Sequence, residues 1–313
     1  MARRGLHADG HHAPLSYHGG LLLDPHRMDA YERAIRALVR PGDVVLDVGT
    51  GTGILAMLAA RRGARVHAVE SMPIAELART LVAHNGLADR VTVHRADLRT
   101  LAPVEPVDLI IGDFLGAFLV DDFMLPAVEA AGRWAKAGAR WAPACVRLWV
   151  APADVGVREL EVWRAPLYGV DVGPAHAAAL GECHRVDVGP GVLLAEGAEL
   201  HAFVPPGPMA RCARTLAFTV ARGGRLRGFV GWFEADLAPG VVLSTAPGVQ
   251  THWGQYLFPV EDVEVEAGDR VEVEVALDER GGELVWRWAG EVRRGDVRRA
   301  AFAHADDGRW TGG

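Results

Sequence analysis

The sequence predicts an α/β domain built on an open parallel sheet, followed by an all-β domain. Three observations carry this. Strand-like and helix-like segments alternate from about residue 21 to 143. A glycine turn, "VLDVGTGTG", joins a buried strand to the helix after it. Beyond Pro143 the pattern changes to period-two alternation broken by turn residues. Alternating β and α segments assemble into a parallel sheet with its ligand site at the strands' C-terminal ends. Short alternating strands with turn signals assemble into a sandwich or barrel.

Residues 1–20 are rich in histidine and glycine and read as a mobile N-terminal segment. "DPHRMDAYERAIRALV" has apolar positions at helical spacing, with Asp24 placed to cap the helix. "GDVVLDVGTGTGILAMLAARRGARVHAVE" then gives a buried strand, the glycine turn, an apolar helix ended near Gly63 and a strand closing at Glu70. Such a βαβ unit has parallel strands and a right-handed crossover. "MPIAELARTLVAHNGL" reads as helix, "RVTVHRAD" and "VDLIIGD" as strands, and "DDFMLPAVEAAGRWA" as helix. The domain boundaries expected are therefore 21–143 for a Rossmann-like parallel-sheet domain with its N-terminal helix and 144–313 for the all-β domain. Within the latter, residues 163–200 break the alternation and read as an inserted excursion.

At 313 residues the chain is long enough for two cores. Its apolar runs are broken by charge or end too soon to span a membrane, and the first residues lack the apolar core of a secretory signal, so a cytoplasmic protein is expected. Cys145, Cys183 and Cys212 are scattered, without a CxxC pair, which favours free thiols over disulfides or a metal site. The net charge of −7 argues against a nucleic-acid partner and agrees with a cationic one.

Gly49, Gly51 and Gly53 lie on the turn after the first strand, where glycine lets the backbone approach a ligand. Glu70, closing the next strand, is placed to grip a ribose diol. Glycines plus an acid also suit a nicotinamide cofactor. Two details favour S-adenosylmethionine (SAM): the spacing is GxGxG rather than GxGxxG, and Asp47 precedes the first glycine. An acid there suits the ammonium and sulfonium of SAM and repels a pyrophosphate. Asp97, after the third strand, is placed to accept from an adenine amino group.

"GDFLGAFLVDD" poses a separate problem. Asp113 and Asp122 bracket a run that is apolar apart from Asp121, and an unpaired charge in such company is costly. Either the acids face water or a cation sits between them. His67 and His94, in strands, read as structural; "RRGDVRRA" reads as a solvated face.

From about Tyr17 to about Val292 the order of parts resembles the protein arginine methyltransferase family of class I SAM-dependent methyltransferases, as a divergent member. "HGGLLLDPHRMDAYERAI" is similar to that family's N-terminal helix, "GDFLGAFLVDD" with Met124–Leu125 to its acidic hairpin, and "THW", Thr251 to Trp253, to its barrel loop. The resemblance implies a β-barrel substrate domain and places Arg27 and His18 at the cofactor, with Arg27 on its carboxylate. It places Leu21 and Trp253 at the substrate, and Asp113 and Asp122 on the acceptor cation. It also implies that His252 pairs with Asp24 to take the released proton or to lock the pocket, and that "YGVD", Tyr168 to Asp171, begins an arm of about 163–200 through which the chain forms a homodimer. The family's two glutamates are aspartates here, each one methylene shorter. That difference leans the expectation to N-methylation of an amine on a cationic peptide or natural product, such as the terminal amine of a daptide-like ribosomal peptide, mono- or dimethylated. Protein arginine methylation and a SAM-binding scaffold without turnover are the alternatives.

Overall fold

The computed structural model describes residues 14–118, 124–207, 212–280 and 283–306. It forms two compact units, one from Met1–Val146, Phe203–Met209 and Ala235–Leu243, the other from Arg147–Ala202, Ala210–Glu234 and Ser244–Gly313. The first unit therefore draws on two stretches from well beyond residue 143. In it, Pro206 lies where a Cβ on Gly132 would come within 3.0 Å, and the Ala144 N–H donates to the Asp236 carbonyl at 2.7 Å.

The first unit opens with helices α1 (Leu15–Leu22) and α2 (Pro25–Leu38), then β1 (Val44–Val48), α3 (Ile54–Arg61), β2 (Arg65–Glu70), α4 (Ile74–His84) and β3 (Val91–Arg95). β4 (Val107–Gly112), α5 (Leu125–Ala131) and β5 (Ala135–Ala142) complete its α/β part. The sheet order is β3-β2-β1-β4-β5, and every neighbouring pair is parallel. β1 is central and buried at all five positions, which is why "VVLDV" reads as a nearly unbroken apolar run. The chain winds outward from β1 to β2 and β3, then returns to β4 on its other side. Val48 and Gly112 are paired at the ends of β1 and β4, so the order reverses between these two strands. A crevice at that reversal is where open α/β sheets bind ligands.

One core cluster packs Val44, Leu46, Val48, Val69, Val107, Ile110 and Trp134. Trp134 is fully buried at the end of a 3-10 turn that extends α5. Two elements differ from the sequence expectation. Residues 15–20, expected within a mobile segment, lie in α1, whose Gly19-Gly20 pair disguises its helical character. The sequence does not mark β5 as a strand: "AKAGARWA" has no alternation, being an edge with a single fully buried position. It is fastened by Lys136 to Asp108 at 2.7 Å and by Arg140, which donates to the Asp108 carbonyl at 3.3 Å.

The rest of the chain is barrel-like and built on antiparallel pairs. Its strands are β6 (Cys145–Ala153), β7 (His184–Val186), β8 (Ala198–Phe203), β9 (Ala213–Thr219), β10 (Gly224–Ala238), β11 (Val241–Ser244), β12 (Gln255–Val265), β13 (Arg270–Arg280), β14 (Glu283–Arg294) and β15 (Val297–Ala305). One sheet runs β7-β12-β10-β6-β8, with β11 on β10; the other runs β15-β14-β13-β9. Trp288, Phe229, Phe233 and Phe258 are fully buried, and the Trp288 indole N–H donates to the Pro259 carbonyl at 2.7 Å. After α6 (Arg158–Glu161), the excursion carries α7 (Gly173–Ala179) and β7, which adds to the edge of β12. Its turn at Leu167–Val170 presents Tyr168 fully exposed with φ of 50°. None of the three cysteines is in a disulfide; Cys212 is buried and the other two are half-buried.

Candidate active site

The crevice between β1 and β4 is lined by backbone on one side and by charge on the other. Gly49, Gly51 and Gly53 have φ of +66°, +53° and +82°, the left-handed region in which glycine is unstrained. The turn they make is covered. A Cβ on Gly49 would come within 2.7 Å of Met124 Cε, and one on Gly51 within 3.4 Å of His18 Nδ1. Glu70 pins the same turn, accepting from the Gly51 N–H at 3.0 Å and from the Met72 N–H at 2.9 Å. Each of its oxygens retains a second lone pair for a ligand.

Asp47 lies beneath this turn, 1% exposed. Its Oδ2 accepts from the Thr50 hydroxyl at 2.5 Å and from the Ala56 N–H at 3.1 Å. Its Oδ1 is buried and has no partner among the described residues. Burial pushes the carboxyl up to about 7, against the two hydrogen bonds that favour its anion. An unsatisfied buried oxygen costs about 1–3 kcal/mol unless something donates to it.

The acid at the end of β4 does meet a cation. Asp113 Oδ2 accepts from Arg27 Nε at 2.5 Å, with side chains 12% and 5% exposed. Asp113 Oδ1 faces the Tyr31 hydroxyl at 3.5 Å, and that hydroxyl donates to the Gly112 carbonyl at 3.0 Å. Arg27 is fixed from its own helix: Asp24 caps α2 by accepting from the Arg27 N–H at 2.9 Å. Arg27 Nη1 donates to the Leu21 carbonyl at 3.2 Å and reaches Met28 Sδ at 3.0 Å. Burial works against the Arg27 charge; Asp113, then Tyr31 and Asp24, outweigh it and hold the guanidinium above its ordinary value. Tyr31 is pushed well up, by burial first and then by Asp113. Removing one partner of such a pair typically costs about 3–5 kcal/mol, since the other charge is left buried alone.

Asp24, Arg27, Leu21, His18, Asp47, the three glycines, Glu70 and Asp113 thus fall on α1, α2 and the ends of β1, β2 and β4. His18 is half-buried, and desolvation pulls it below its usual value against the field of Glu70. Asp97 is turned to its neighbour: Arg99 Nε lies 3.0 Å and 2.8 Å from its two oxygens, so a ligand there competes with that pair. Asp122 and Asp121 lie outside the described residues. His252 and Trp253 belong to the second unit, where their rings lie 3.8 Å apart and Trp253 meets Phe233 edge-on at 5.2 Å. Three contributors escaped the sequence reading. Tyr31 stands four residues from Arg27, and that helical spacing was the available signal. Thr50 stands three residues from Asp47 on the turn, and Met124 had been noted only as a position in a motif.

These groups fit SAM: the orphaned Asp47 Oδ1 suits an ammonium, Arg27 a carboxylate, and Glu70 a diol. Among the described residues no cluster of His, Cys, Asp or Glu is arranged to hold a metal, and no helix is long and apolar enough to cross a membrane.

Comparison with known proteins agrees with this geometry. Residues 45–138 match the model of a methyltransferase domain, and residues 148–283 that of an arginine methyltransferase oligomerization subdomain. The chain is 33% identical over 301 residues to protein arginine N-methyltransferase PRMT10 of Oryza sativa subsp. japonica, covering 82% of this chain and 79% of that protein. It is 32% identical over 269 residues to the arginine N(omega)-methyltransferase of Streptomyces achromogenes subsp. streptozoticus, covering 81% and 73%. Among solved structures, protein arginine methyltransferase 10 of Arabidopsis thaliana superposes with a TM-score of 0.81 at 27% identity, covering 93% of this chain and 97% of that one. The Trypanosoma brucei PRMT1 enzyme–prozyme heterotetrameric complex with AdoHcy has the same fold, with a TM-score of 0.87 at 23% identity, covering 93% and 98%.

Proposed function

Because the chain belongs to the protein arginine methyltransferase family and is a SAM-dependent methyltransferase, we propose that its acceptor is a guanidinium nitrogen of arginine, free or within a peptide. One observation supports this most directly. Asp113 already holds a guanidinium, that of Arg27, at 2.5 Å in a half-buried position at the end of β4. Planar cations of this kind take directed hydrogen bonds from carboxylates.

When bound, SAM supplies a methyl group on a positively charged sulfur, which leaves as a neutral thioether after in-line attack by nitrogen. Asp47 and Arg27 hold the ammonium and carboxylate ends, and Glu70 the ribose. Asp113 fixes the acceptor so that its free nitrogen lone pair points along the reaction axis, with Asp122 as the second carboxylate. Positioning and a fixed electrostatic environment account for most of such catalysis. The nitrogen loses one proton, and His252 is its proposed acceptor. The arm around Tyr168 is proposed to join two copies of the chain.

A second reading rests on the shortness of the two aspartates, which suits a compact amine, including the terminal amine of a daptide-like peptide. None of the relatives named above carries such a name. Methyl-labelled SAM offered with L-arginine, an arginine peptide and an arginine-free peptide with a free terminus separates the readings. Label on a guanidine nitrogen supports the first, and label on the terminal amine the second. Tight SAM binding with no product from any acceptor indicates a scaffold. Asp113→Ala is expected to lower turnover at least about a hundredfold while S-adenosylhomocysteine still binds; loss of that binding assigns Asp113 to the cofactor site instead.

A further inference from the structure

We propose that the Arg27–Asp113 pair is a latch opened by the cofactor's amino-acid carboxylate, so that Asp113 is released to the acceptor only after the cofactor is in place. The inference rests on the reading of Asp113 as the acceptor's acid. In the structure Asp113 Oδ2 accepts from Arg27 Nε at 2.5 Å, while Oδ1 faces, at 3.5 Å, the Tyr31 hydroxyl whose proton goes to the Gly112 carbonyl. An arriving cation would meet a carboxylate already neutralised and the like charge of Arg27 beside it.

Arg27 is placed to respond to a second anion. Its backbone is fixed by the Asp24 cap, and its Nη1 is held by the Leu21 carbonyl and Met28 Sδ. Its Nη2 has no hydrogen-bond partner among the described residues. A carboxylate at that edge shares the guanidinium between two anions and weakens its hold on Asp113, which regains net negative charge for the acceptor. Removing Asp113 correspondingly leaves Arg27 entirely to the cofactor. Binding linkage is reciprocal, so cofactor and acceptor each raise the other's affinity by the same factor.

The probes are S-adenosylhomocysteine and 5′-methylthioadenosine, which share the nucleoside and thioether while only the first carries the amino-acid end. Calorimetry on the full chain should show Asp113→Asn binding S-adenosylhomocysteine about tenfold tighter than the wild type, with methylthioadenosine unchanged. An arginine peptide should bind the wild type about tenfold tighter beside S-adenosylhomocysteine than beside methylthioadenosine. Unchanged or weaker S-adenosylhomocysteine binding by the Asn variant overturns the latch, as does equal peptide affinity beside either nucleoside. An arginine peptide that never binds, while the first result holds, refutes the acceptor reading and not the latch. If Asp113→Asn loses methylthioadenosine as well, Arg27→Lys decides: the latch predicts that peptide affinity becomes independent of the nucleoside, and persistent coupling overturns it.

Discussion

Asp47 carries the sharpest pH dependence at the residue scale. Its carboxyl sits near 7 because burial disfavours the anion more than Thr50 and Ala56 favour it. An ammonium at Oδ1 reverses that balance, so cofactor binding should release a proton below pH 7. The affinity for S-adenosylhomocysteine should fall as pH drops through 7, by at most about tenfold per unit, and Asp47→Asn should bind weakly without that slope. The sign for folding is opposite. A carboxyl raised in the folded chain contributes stability that is complete below its unfolded value of 3.8 and is lost as pH rises through 7. Calorimetric titration between pH 5.5 and 8.5 tests the first statement, and thermal melts of the wild type and Asp47→Asn test the second. Asp47, Glu70 and Asp113 were legible in the sequence because each lies at a strand end, where an acid stands out, whereas Arg27 entered only through the family resemblance. The partner of Asp113 was harder to read, since Arg27 and Asp113 are 86 positions apart and only the sheet's reversal brings α2 to the end of β4.

Among elements, those with a buried face could be read and those with an exposed one could not. β1, β2 and β4 show as apolar runs, whereas β5 is fastened by charge and α1 presents no fully buried side chain. His67 and His94, expected to be structural, satisfy one another at 3.0 Å, with Glu105 3.0 Å from the other His67 ring nitrogen. In the second sheet β13 and β14 approach closely at Gly290, where a Cβ would overlap the Glu272 carbonyl oxygen. That obstacle is backbone, not a side chain that can swing aside. Gly290→Ala should therefore destabilise the chain by more than about 2 kcal/mol, seen as a lower melting temperature, while Gly240→Ala, with open space around it, is limited to the strain of its φ of +73°.

For the whole molecule, the arm gives the clearest test. Leu167–Val170 closes a small turn that leaves Tyr168 fully exposed in a left-handed conformation uncommon for its type. The base of the arm is tied down by Arg164, which reaches Asp262 at 2.6 Å and Glu161 at 3.2 Å. Light scattering of the purified chain should give twice the monomer mass, and a Tyr168→Ser, Val170→Asp variant should give the monomer with its melting temperature little changed; a wild type that runs as a monomer refutes the proposed dimer. The interleaving of the two units has a further consequence, for synthesis. Residues 14–146 leave the ribosome without Pro206 or the Asp236 carbonyl that Ala144 binds. All five strands of the parallel sheet precede residue 143, but the unit around them stays incomplete until residue 243 has emerged, and a gene fragment cut after Val146 should yield a protein that clumps instead of one that binds nucleoside.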